Sequence, residues 1–73
     1  MLTKNENLIL LAERVKERRQ SLNISQEELA SICEFDRTYI SLIERGKRNL
    51  AFNNLVILSK GLKLTLSDLL RGI

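Results

Sequence analysis

The residues best suited to chemistry lie between Asp36 and Asn49, in the run DRTYISLIERGKRN. Advancing ~100° per residue along a helix that starts at Asp36, Ile40 and Ile43 fall together on one side, while Thr38, Ser41, Leu42 and Arg45 fall on the other. That outer side carries no acid, and Arg45, Lys47 and Arg48 follow directly. A solvated helix face usually mixes both signs of charge. This one offers hydrogen-bond donors and positive charge to a fixed, grooved polyanion, a chemistry of recognition and not of bond making.

The charge distribution supports the same reading. Twelve basic and nine acidic residues leave +3 overall. Residues 37–49 hold Arg37, Arg45, Lys47 and Arg48 against Glu44 alone, so four bases against one acid give this stretch +3, whereas residues 25–36 hold only acids. Catalysis has little to work with. The chain has no histidine and one cysteine, which leaves no zinc site and no histidine-based acid–base pair. Its serines lack a base partner, and neither an acid cluster nor a glycine-rich phosphate loop is present. The expectation is a non-enzyme with no cofactor, no metal and no small-molecule ligand.

Two short helices must position the basic face. The first starts at Ser25, whose hydroxyl caps it while Glu28 reaches back to the Ser25 N–H, and its inner side is read as Leu29, Ala30 and Ile32. The second starts at Asp36, with Phe35 and Ile40 at the two positions of a hydrophobic staple. With only about four residues between them, the pair turns sharply into a helix-turn-helix. Upstream, Leu8, Leu11, Val15 and Leu22 define a helix over 7–22, ended by a left-handed Asn23. On it Arg19 lies ~40° from Val15, and Glu44 lies as close to Ile40. Two opposite charges on core-facing sides are predicted to pair structurally with each other.

Downstream, residues 49–51 form a link, and Leu55, Leu58 and Leu62 define a helix over 52–62 whose end Gly61 weakens. A fifth short helix is expected from a Ser67 cap, with Asp68 in its first turn. The whole chain, 1–73, reads as one domain, with 1–7 loosely held. The C-terminal part, 52–73, carries more apolar residues than so small a core can cover. Leu62, Leu64, Leu66, Leu69, Leu70 and Ile73 are therefore read as a dimerisation region. Cys33 is expected to be a small semi-buried side chain in a reducing cytoplasm. No apolar run approaches the ~18 residues of a membrane span, and no secretory signal is visible.

The stretch SQEELASICEFDRTYISLIERGKRN resembles the helix-turn-helix of the Cro and phage-repressor (XRE-type) superfamily. The runs DRTYIS, IERGKRNL and KGL are similar to those of restriction–modification controller proteins, and the likeness extends over roughly residues 8–70. The resemblance implies an all-α, five-helix, lambda-repressor-like domain acting as a homodimeric transcription regulator on a pseudo-palindromic operator in double-stranded DNA. The setting it implies is the cytoplasm of a bacterium, with the protein host- or phage-encoded and nucleoid-associated. It also implies a buried pair at Arg19 and Glu44. Phosphate contacts are implied at Gln26, Arg45, Lys47, Arg48 and Asn49, with Ser41 beside them. Base contacts from the start of the recognition helix fall to Arg37, suited to guanine, with Thr38, Tyr39 and Leu42; for Tyr39 a packed ring is an equal alternative. Three departures stand out: Glu34 where the superfamily often has glycine, Leu50 where many relatives have proline, and Ala51 as an uncapped helix start. An antitoxin or phage repressor would share the fold, and a pure protein-interaction module is a further alternative.

Overall fold

The structure, a computed structural model, describes residues 4–73. It contains five helices: α1 (Lys4–Ser21), α2 (Gln26–Cys33), α3 (Arg37–Glu44), α4 (Phe52–Gly61) and α5 (Leu66–Leu70). Helix α1 begins three residues before the expected Asn7, so of the segment expected to be loose, Lys4 to Asn7 are helical and residues 1–3 lie outside the described residues. The apolar repeat that set the boundary is silent about a polar first turn. Glu6 in that turn complements the helix dipole.

Four of the helices end in the same way. Asn23, Glu34, Gly46 and Lys63 each adopt a left-handed φ, between +57° and +69°. The next residue then donates its N–H back into the helix: Ile24 to Arg19 O (3.4 Å), Phe35 to Ala30 O (2.8 Å), Lys47 to Leu42 O (2.9 Å) and Leu64 to Ser59 O (2.9 Å). This stop satisfies carbonyls that a helix end leaves open. It also turns Ile24, Phe35 and Leu64 onto the core. Glu34 and Lys63 carry the strain of a side chain in a region glycine prefers, ~1 kcal/mol each.

The start of α5 differs from expectation. Thr65, not Ser67, is its cap, and Thr65 Oγ1 accepts from Asp68 N at 3.0 Å. A cap reaches two or three residues into its helix; Ser67 lies already inside this one.

The core is built from Leu11 and Val15 of α1, Leu29, Ala30 and Cys33 of α2, Ile40 and Ile43 of α3, Leu50 of the link, Leu58 and Leu62 of the α4 end, and Leu69 of α5. Ile32 is not part of it. The inner side of α2 is completed by Cys33, one turn after Leu29, and Ile32 is left 57% exposed at the rim facing α4. Gly61 matters here for its missing side chain more than for helix weakness, because a Cβ there would stand 2.6 Å from Cys33 Sγ. Helices α2 and α4 close together only over a glycine.

The dimerisation set read from the sequence also needs correction. Leu62 and Leu69 have no exposed surface and belong to this chain's own core. Leu64 and Leu70 pack against that core from the side. Leu66 is half-buried, and Ile73 is exposed. Helix α5 folds back onto α1 and needs its own apolar residues to do so. Two arginines of α1 fix that arrangement. Arg14 Nη1 donates to Leu69 O (3.1 Å), and Arg18 donates from Nε to Leu62 O (2.8 Å) and from Nη2 to Lys63 O (3.3 Å). Cations thus sit on the negative ends of α4 and α5. No helix among the described residues is long and apolar enough to cross a membrane.

Candidate nucleic-acid interface

The interface is assembled from two capped helix starts. Ser25 Oγ accepts from Glu28 N (3.0 Å) while Ser25 N donates to Glu28 Oε1 (2.9 Å), a complete capping box at α2. Asp36 Oδ1 accepts from Thr38 N (2.9 Å) and fixes the first turn of α3. With Ile40 and Ile43 buried, Arg37, Thr38 and Arg45 stand exposed on α3 or at its end, and Ser41 and Leu42 are half-buried between them.

Glu44 is the acid within α3, and it is turned inward. Arg19 donates to it twice, Nε to Oε2 at 2.6 Å and Nη2 to Oε1 at 3.0 Å, and also donates from Nη1 to Ile24 O at 2.9 Å. The side chains are 12% and 3% exposed. The bond to Glu44 pushes the Arg19 pKa up from its ordinary value, against the opposing effect of burial. Gln26 joins the same carboxylate, donating from Nε2 to Glu44 Oε1 at 3.1 Å. The amide expected at a phosphate is therefore already oriented, and its second N–H remains for an acceptor. The outward face of α3 keeps no carboxylate of its own.

Tyr39 is half-buried. Phe35 meets its ring edge-on, with centroids 5.0 Å apart and planes at 86°, and Asn54 Nδ2 donates to its hydroxyl at 3.1 Å. The Arg48 guanidinium lies over the ring, 5.4 Å from its centroid. Arg37 Nε stands 3.9 Å from Glu27 Oε1, but both side chains are mostly exposed, so the pair holds little energy. Arg45, Lys47, Arg48 and Asn49 are all exposed in the turn and link after α3. Gly46 makes that turn with φ +69°, beside the backbone of Ile9.

The structure thus gathers Arg37, Thr38, Ser41, Leu42, Arg45, Lys47, Arg48 and Asn49 around α3, with Gln26 beside them through Glu44. Sequence reasoning missed Asn54, Arg14 and Arg18, whose partners lie on other helices and leave no local signature. Cys33 is buried, and desolvation pushes its thiol pKa up, so it stays protonated. No group of three metal-ligating side chains exists among the described residues.

This architecture is that of a helix-turn-helix protein, and the chain belongs to that family, whose pattern matches residues 15–69. Several of its relatives within that family are control proteins of restriction–modification systems. Control protein C.SmaI of Serratia marcescens is 44% identical over 61 residues, covering 84% of this chain and 73% of that protein. The restriction-modification controller protein C.AhdI from Aeromonas hydrophila has a similar structure, with a TM-score of 0.84 at 33% identity over 88% of this chain and 97% of that one. The controller protein C.Esp1396I, solved as a tetramer in complex with its natural 35 base-pair operator, gives a TM-score of 0.79 at 37% identity, covering 85% of this chain and 82% of its own.

Proposed function

We propose that this chain is a sequence-specific DNA-binding transcriptional regulator that acts as a homodimer on a pseudo-palindromic operator and controls a restriction–modification system. It acts by occupancy, without catalysis, in the cytoplasm. The observation that carries the reading is the outward face of α3: capped at Asp36, backed by Ile40 and Ile43, cleared of acid by the inward turn of Glu44, and flanked by Arg45, Lys47 and Arg48. The operator complex of C.Esp1396I supports it from a related chain.

In this reading α3 enters the major groove. Arg37 pairs with guanine acceptors, Thr38 and Leu42 meet base edges or thymine methyls, and Tyr39 lies at the margin of the base contacts. Gln26, Ser41, Arg45, Lys47, Arg48 and Asn49 hold phosphates and set the register. A twofold-related copy places its own α3 about 34 Å away, one turn of the duplex, so the site is an inverted repeat. Exposed Phe52 and Ile57 of α4, with exposed Ile73 and half-buried Leu66 near the C-terminus, offer apolar surface to that copy.

Selecting bound duplexes from a random pool tests this directly: a symmetric consensus is expected, and recovery of unrelated sequences would refute it. On the selected duplex Arg37→Ala should lose ~1 to 3 kcal/mol and relax one position of each half-site. Lys47→Ala should weaken all sequences alike and flatten the salt dependence by about one unit.

A further inference from the structure

We infer that Asn54, on the first turn of α4, is a positioning residue for DNA binding that acts through Tyr39 to hold Arg48 ready for a phosphate. This deepens the DNA-binding reading and rests on it.

Asn54 does not serve its own helix. Helix α4 starts at Ala51 with no side-chain cap, yet the nearby Asn54 amide reaches across to α3 and donates to the Tyr39 hydroxyl at 3.1 Å. The T-shaped contact with Phe35 sets the tilt of the Tyr39 ring. A ring fixed by these two contacts presents a constant face, and the Arg48 guanidinium lies on it at 5.4 Å, within the range of cation–π attraction. No carboxylate pairs with Arg48 among the described residues. The ring is therefore what restrains the side chain.

Arg48 needs such a restraint. It stands in the irregular segment between α3 and α4, where its backbone has no helix to direct it. A long side chain ordered before binding loses less freedom on meeting its phosphate, which strengthens association without adding a contact. Holding the guanidinium over a ring spends none of its N–H groups on an oxygen acceptor, which leaves them for phosphate oxygens. Asn54 thus sets affinity without touching DNA.

A double-mutant cycle tests this. Asn54→Ala, Arg48→Ala and the combined variant are titrated across a salt series with two duplexes, one selected from a random pool by the parent protein and one of mixed sequence. Asn54→Ala should weaken both duplexes by about 3- to 10-fold and leave their ratio unchanged. In the Arg48→Ala background the same substitution should have no further effect. Asn54→Ser, which is too short to reach Tyr39 but suits a first turn, should repeat the pattern and separates it from any loss of folding. An equal loss in both backgrounds, or no loss in a parent that binds, overturns the role of Asn54 alone. A parent that binds neither duplex overturns the DNA-binding reading with it.

Discussion

Glu44 receives three donated hydrogen bonds from two other helices, so the loss of one partner strands a charge. Removing Arg19 would leave a carboxylate only 3% exposed and unbalanced. Arg19→Ala should therefore cost ~3 to 5 kcal/mol in urea unfolding, and a variant melting like its parent would refute the burial argument. The Arg19 and Glu44 positions were legible because helical angles alone put both on core-facing sides. The Gln26 bond was not, since it depends on how closely the start of α2 approaches the end of α3. Cys33 gives a second prediction at this scale. Burial raises its thiol pKa above the ordinary 9.0, so the unfolded chain ionises first. Its contribution is whole below the unfolded value and is lost as pH rises through the folded one. Unfolding free energies compared between parent and Cys33→Ala should stay parallel at neutral pH and converge above pH ~9.

Among the elements, α2 and α4 come close together at Gly61. Helix propensity predicts that Gly61→Ala should stabilise by ~1 kcal/mol. The contact predicts the reverse, because the new Cβ meets the buried Cys33 Sγ at 2.6 Å. Overpacking of this kind costs ~1 to 3 kcal/mol, so the variant should melt lower, and adding Cys33→Ala should recover part of the loss. The helices themselves were readable from local signals: the Ser25 and Glu28 capping box, the Asp36 cap, and the left-handed Asn23 and Glu34. Boundaries differed where those signals were absent or ambiguous, in the polar first turn of α1 and between the hydroxyls of Thr65 and Ser67, two residues apart.

Over the whole molecule, formal charge misleads about where the basic surface lies. Arg14 and Arg18 close the ends of α5 and α4, Arg19 holds Glu44, and Arg71 pairs with Asp68. The bases around α3 remain outward. The all-α fold could be read from periodicity and caps, whereas the division of arginines between scaffold and interface could not, because carbonyl partners arise only when distant helices meet. The same limit misplaced Leu62 and Leu69 at a dimer surface. If the surface is instead formed around α4, Ile57→Asp should leave a folded monomer. Its melting temperature should then be independent of concentration while that of the parent rises, and sedimentation shows both.

The three-way junction at Glu44 has a mechanical consequence. Tilting α3 on its own would rupture its tie to α1 and its tie to the start of α2 together, so the reading surface and the Gln26 amide move as one piece. A rigid probe of this kind cannot adapt to a misshapen groove. Compliance in the complex must then come from the nucleic acid, and, on the homodimer proposed above, sequences that flex cheaply between its two half-sites would be favoured at base pairs no side chain reaches.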